Sequence, residues 1–195
     1  MGDDAVGTVS AVPPLRRAKP HAIPTMYKGV QMRSRLEARW AAFFDTVGWQ
    51  WNYEPPEFAG WIPDFQITTT GLPLLVEVKP AGDLADVHGQ EAVRDIQRCL
   101  TGKPYESVIL GNAPFTVDGL TYLGWMPEPD QGGMSWDRAA VGTIIGDQLC
   151  LCHSSGSFRC RICGADEGWC AAMPPTELEA CWAKACNLTQ WRPTL

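Results

Sequence analysis

Two short apolar segments, residues 61–68 and 74–79, flank Gly71-Leu72-Pro73, and this arrangement narrows the fold more than any other part of the chain. Trp61, Ile62 and Phe65 in the first segment and Leu74, Leu75, Val76 and Val78 in the second are the bulky residues of buried strands. The tight connection between them predicts an antiparallel hairpin. Polar residues interrupt this apolar bulk at Asp64, Glu77 and Lys79. Side chains alternate along a strand, so Glu77 and Lys79 share one face while Val76 and Val78 turn to the other, towards a core. A register that sets Asp64 across from Glu77 brings two carboxylates and an ammonium together. Unpartnered carboxylates in such a place would be costly.

The surrounding pattern extends the hairpin into a sheet. Leu36, Trp40, Phe43, Phe44 and Val47 follow helical spacing and predict an amphipathic helix over 31–47, stopped by Gly48. Trp49, Trp51 and Tyr53 alternate with polar residues as a strand that breaks at Glu54-Pro55-Pro56. Val93, Ile96 and Leu100 mark a helix over 86–100, residues 107–111 form a wholly apolar strand, and 121–125 a weaker one. This order predicts a mixed α/β sheet flanked by helices. Residues 1–28, with four prolines and no apolar period, read as a mobile leader, 29–126 as the core, and the Pro- and Gly-rich run at 127–133 as its boundary. A last helix starts at Pro174-Pro175-Thr176 and carries Leu178, Cys181, Trp182 and Ala185 at helical spacing.

Carboxylate oxygens are the hard ligands preferred by Mg²⁺ or Mn²⁺, and two of them leave coordination positions for water and a phosphate. Lys79 is placed to orient an attacking water or to stabilise the transition state. The segments Ser34-Arg35-Leu36-Glu37, Tyr53-Glu54-Pro55, Ile62-Pro63-Asp64-Phe65 and Leu75-Val76-Glu77-Val78-Lys79-Pro80 resemble the PD-(D/E)XK nuclease superfamily, and are similar to TnsA-type transposition nucleases and small phage-encoded nucleases. The resemblance implies a restriction-endonuclease-like core and a metal-dependent DNA nuclease with catalytic residues Glu37, Asp64, Glu77 and Lys79. Of these, Glu37, Asp64 and Glu77 would hold the metal. Glu37 has a second reading, because Ser34-x-x-Glu37 is also a capping box. His88, Glu91, Arg94 and Gln97 on the next helix are further polar candidates, or simply a solvated face.

Composition bears on partners and compartment. The 195 residues are enough for one main domain and a small appendage, and no apolar run is long enough to span a membrane. A net charge of −6 argues against nucleic acid only if it is left undivided. Seven of the 16 Lys and Arg fall in residues 1–40 against three acidic residues, which leaves that stretch at +4 and the rest at −10. Within it Arg33, Arg35 and Arg39 are candidate phosphate contacts.

Five of the eight cysteines lie in residues 150–170. A disulfide scaffold would spread its cysteines through a short secreted chain, so this clustering predicts bound metal in a soluble, cytoplasmic protein. Cys150-Leu-Cys152-His153 and Cys160-Arg-Ile-Cys163-Gly164 have the form of two knuckles of a zinc ribbon, with Zn²⁺ held by four of Cys150, Cys152, His153, Cys160 and Cys163. Cys170 is a fifth thiol candidate or a core thiol, and Cys99, Cys181 and Cys186 are core thiols. The expected protein is therefore a Mg²⁺-dependent nuclease acting on double-stranded or branched DNA, with a structural zinc and a place in phage or mobile-element DNA processing. The alternative is a non-catalytic, nuclease-like adaptor in a phage or transposition complex.

Overall fold

The computed structural model describes residues 22–128, 135–144, 149–153, 159–164 and 170–190, without the side chains of 143, 144, 153 and 170. The described chain enters through a hairpin of β1 (Thr25–Tyr27) and β2 (Val30–Met32). Its turn places both Lys28 and Gly29 at positive φ, 47° and 79°. Three-residue strands are too short to show a period, and this hairpin corrects two expectations. Residues 25–27 leave the expected leader, and 31–32 leave the expected helix. The rest of the leader, residues 1–21 with Arg16, Arg17 and Lys19, lies outside the described residues. Helix α1 (Arg35–Thr46) starts after Ser34, whose Oγ accepts the Glu37 N–H at 3.1 Å, and yields at Gly48 in the left-handed region.

The predicted hairpin forms. Strands β3 (Trp51–Tyr53), β4 (Phe65–Ile67) and β5 (Leu74–Val78) are antiparallel, with Phe65 opposite Val76 and Ile67 opposite Leu74. Helix α2 (Val87–Leu100) then crosses over to β6 (Glu106–Val117), which runs parallel to β5 and sets Glu77 beside Ile109. Beyond it β7 (Leu120–Pro127) and β8 (Trp136–Ile144) continue antiparallel. Both β9 (Leu149–His153) and β10 (Cys170–Ala172) pair with β8, and α3 (Pro175–Leu188) closes the described chain.

The molecule is thus mixed α/β, and the described residues form three helices and a largely antiparallel eight-stranded sheet beside the β1–β2 hairpin. That sheet crosses the boundary expected after residue 126, since Pro127 of β7 pairs with Trp136 of β8. The physical reason is the burial of Thr121–Met126: a buried edge has backbone groups that must find partners, and β8 supplies them. The cysteine-bearing strand β9 is a further strand of the same sheet.

Each face of the sheet has its own core. Trp40, Phe43 and Phe44 of α1 pack with Phe65, Ile67, Leu74, Val76 and Leu110, while Ala92, Ile96 and Leu100 of α2 pack with Trp61, Leu75, Ile109 and Trp125. Every residue of β5 is buried, and strand parity puts Leu75 and Glu77 on the α2 face. Each large side chain buried in this way stabilises the fold by roughly 1.5–3 kcal/mol. Helix α3 lies against α1, with Trp182 and Trp40 ring centroids 4.7 Å apart. The Trp40 Nε1–H donates to the Gly111 carbonyl at 2.9 Å, and the Lys79 N–H donates to the Leu110 carbonyl at 2.9 Å. The first bond ties α1 to β6, and the second holds the end of β5, where the polar residues gather, against β6. Among the described residues, no helix is long and apolar enough to cross a membrane.

Candidate active site and cysteine cluster

The hairpin brings Asp64, Glu77 and Lys79 together. Asp64 sits just ahead of β4, and its Oδ2 accepts the Val78 N–H of the neighbouring strand at 2.7 Å. Glu77 accepts the Trp61 Nε1–H on Oε2 at 2.9 Å and pairs with the Lys79 ammonium through Oε1 at 2.7 Å. Both carboxylates are buried, 3% and 6% exposed. They line an open cleft of about 520 Å³ together with Arg33, Glu37, Trp61, Lys79 and Asp95.

Glu37 makes bonds at the start of α1 and also lines the cleft. Its Oε1 accepts the Ser34 hydroxyl at 2.7 Å, and its Oε2 accepts the Tyr53 hydroxyl at 2.6 Å and the Arg33 N–H at 3.1 Å. Glu37 therefore caps the first turn of α1 and forms part of the cleft wall. Burial, then the bond to Glu37, pushes the Tyr53 hydroxyl up to about 12, so it stays a donor. In the sequence Tyr53 stood out as one of the alternating aromatic residues of β3 and as part of the Tyr53-Glu54-Pro55 segment, with no role of its own in the site.

Charge in the cleft is unbalanced, with four carboxylates against two cationic groups. Burial, followed by the neighbouring charge of Glu77, raises Asp64 well above the usual carboxylate range. Burial is the largest influence and pulls Lys79 down, but the charge and hydrogen bond of Glu77 together with the charges of Asp64 and Asp95 outweigh it, and the net shift is upward, so the ammonium keeps its proton. Arg33 supplies the other positive charge. Its Nη2 bonds Asp64 Oδ1, and its Nε lies 3.1 Å from Glu54 Oε1 and 4.0 Å from Glu37 Oε2.

The three arginines expected to meet phosphate are not equivalent. Arg33 is engaged with these carboxylates and Arg35 lines a separate groove with Met26 and Leu188, while the Nε atoms of both Arg35 and Arg39 are buried without a partner among the described residues. On α2 the expected candidates lie off the cleft: His88 pairs with Glu91 at 3.5 Å, Arg94 is exposed, and Gln97 lines another groove near Trp136. Asp95 reaches the cleft instead, and also pairs with Arg98 at 3.0 Å. It stands one turn beyond Glu91, and nothing in the helical pattern set it apart.

Among the described residues, one set of three ligand-type side chains draws within 4.8 Å, the thiols of Cys150, Cys160 and Cys163; Glu37, Asp64 and Glu77 do not reach that spacing as a set. Cys150 and Leu151 of β9 are buried, and the Arg161 N–H donates to the Leu151 carbonyl at 2.8 Å, which seats the 160–164 turn on the strand. Cys160 Sγ accepts the N–H groups of Ile162 and Cys163 at 3.4 and 3.5 Å. A bond from Cys152 comes first among the causes that lower the Cys160 pKa, ahead of these backbone donors. Gly164 ends the turn at φ 73°, where a Cβ would lie 2.9 Å from Thr70 Oγ1. The side chains of His153 and Cys170 lie outside the described residues. Cys99, expected as a core thiol, is buried, whereas Cys181 and Cys186 are half-buried on α3. Arg161, between Cys160 and Cys163, pairs with Glu106 at 3.3 Å.

No protein-family model, characterised protein or solved structure matches the chain.

Proposed function

We propose that the protein is a metal-dependent DNA nuclease of the PD-(D/E)XK type, with a restriction-endonuclease-like core and a structural zinc. One observation carries the reading: two buried carboxylates, Asp64 and Glu77, converge with Lys79 at the edge of an open cleft that holds an excess of negative charge. The donor set fits a hard divalent cation, since the groups are carboxylate oxygens and burial makes their repulsion costly. A bound Mg²⁺ or Mn²⁺ would supply charge neutralisation at the phosphate and a water of lowered pKa.

The chain's own residues do the rest. Asp64 and Glu77 hold the cation, and the Val78 N–H and the Trp61 indole fix the orientation of these carboxylates before substrate arrives. Lys79, held 2.7 Å from Glu77 Oε1, serves as a donor that orients the attacking water and steadies charge on the phosphate. Glu37 and Asp95 add to the negative field that favours a cation in the cleft, while the Ser34, Tyr53 and Arg33 donors hold Glu37 still.

The thiol cluster fits zinc. Sulfur ligands of this number and spacing suit a tetrahedral structural site, and backbone N–H groups pointing at Cys160 favour its thiolate. Cys150, Cys160 and Cys163 hold the ion, and Cys152, bonded to Cys160, is the described side chain next to them. With a fourth protein ligand added to these three, such a site would be closed and would contribute folding energy, not catalysis.

The test is Mg²⁺-dependent cleavage of single-stranded, double-stranded and branched DNA by the purified chain, beside Lys79→Ala. Cleavage by the wild type, lowered at least about 100-fold in the variant, supports the assignment. Equal inertness of both proteins on every substrate refutes it.

A further inference from the structure

Arg33 lies where a cation would be needed, and this suggests a role beyond generic phosphate contact. Its guanidinium bonds Asp64, one of whose oxygens is already committed to the Val78 N–H, and it also reaches Glu54. Three carboxylates, Glu37, Glu54 and Asp64, thus share one guanidinium. The partners differ in burial: the Asp64 side chain is 5% exposed, and that of Arg33 is 55% exposed.

The backbone of Arg33 is fixed. Its N–H donates to Glu37 Oε2 at 3.1 Å and to the Tyr53 hydroxyl at 3.0 Å, just ahead of the cap of α1. Only the side chain is free to leave, and because it is already half in water, water readily replaces the carboxylate contacts it gives up. Asp64, buried beside Glu77, is left by the same departure in need of a replacement cation or a proton.

We propose that Arg33 is an exchangeable counter-ion of Asp64: its guanidinium neutralises the carboxylate in the cation-free protein and transfers to a substrate phosphate when a divalent cation takes Asp64. The inference rests on the nuclease reading for the cation. It adds a coupling, because Arg33 cannot serve Asp64 and a phosphate at once. Cation and DNA therefore strengthen each other's binding by the same factor. Arg33 suits the exchange because its planar fork matches carboxylate and phosphate alike.

The experiment measures Mn²⁺ binding by calorimetry, and binding of a short labelled DNA duplex in Ca²⁺ by anisotropy, on the full chain as wild type, Arg33→Gln, Arg33→Lys and Asp64→Asn. The expected result is that Arg33→Gln binds Mn²⁺ roughly tenfold more tightly than wild type and the duplex roughly tenfold more weakly, within the usual range for coupled sites. Arg33→Lys, which keeps the charge without the fork, falls between them, and Asp64→Asn loses Mn²⁺. Far-UV circular dichroism checks folding, and if Arg33→Gln does not fold, Arg33→Lys must show both shifts in the same directions. Mn²⁺ binding that is no tighter in the folded Arg33 variants than in wild type overturns the exchange and leaves the nuclease reading intact. Absence of Mn²⁺ binding from wild type and variants alike overturns both.

Discussion

Trp61→Phe tests whether the indole donor is needed to keep Glu77 as a buried carboxylate. The substitution keeps an aromatic ring against Phe58, 6.3 Å away between centroids, and removes one N–H from a carboxylate that is 6% exposed. Water has little access to take its place. A hydrogen bond to a charged group is worth about 1.5–3 kcal/mol, and because Lys79 stays 2.7 Å from the other oxygen, the loss belongs in the lower half of that range, about 1.5–2 kcal/mol. Urea unfolding followed by fluorescence and circular dichroism reads it directly. With a slope of about 2 kcal/mol/M, the midpoint falls by roughly 0.8–1 M with the slope unchanged. Lys79→Met removes the other partner of Glu77, so the two substitutions should couple by at least about 0.5 kcal/mol in a double-mutant cycle. A Trp61→Phe midpoint within about 0.2 M of wild type, or strict additivity with Lys79→Met, would refute the argument that these two donors jointly sustain the charge.

Other expectations follow from the same geometry. Protein purified without chelator should carry close to one zinc per chain by elemental analysis, and Cys160→Ser or Cys163→Ser should lose that zinc together with several kcal/mol of stability, since binding is linked to folding; a stoichiometry near zero would remove the zinc assignment. Gly124→Ala should be severely destabilising, because its Cβ would fall 1.9 Å from the Ile109 carbonyl oxygen within the β6–β7 pair, and soluble yield and melting temperature report it. Gly164→Ala adds strain at φ 73° and crowds Thr70, so a loss of about 1–2 kcal/mol is expected, with faster zinc release to a competing chelator.

The parts of the site that come from strand alternation could be read in the chain. Asp64, Glu77 and Lys79 interrupt runs of bulky residues around a tight turn, and a short hairpin offers few registers, so their convergence followed from local rules. Helices α1 and α2 were visible for the same reason, through Leu36, Trp40, Phe43 and Val93, Ile96, Leu100. What the sequence hid depends on long-range placement. Arg33 read as a free phosphate contact because nothing local announces that Asp64 and Glu54 will face it. Trp61 read as apolar bulk, although its N–H finds Glu77. The continuation of the sheet from β7 to β8 was obscured by Pro127 and the glycines after it, since a break in composition looks the same whether the next strand leaves the sheet or pairs with it.

The packing of α3 on α1 also bears on how the chain is made. Trp40 and Phe43 leave the ribosome well before Trp182, which covers them. At roughly 5–20 residues per second, the partner arrives on the order of ten to thirty seconds later. Throughout that interval the aromatic side of α1 lacks its final cover, and the parallel β5–β6 pair, which must wait for α2, is also incomplete at first. Synthesis therefore imposes its own order on the molecule, in which the helix that caps the cleft wall emerges long before the helix that encloses it.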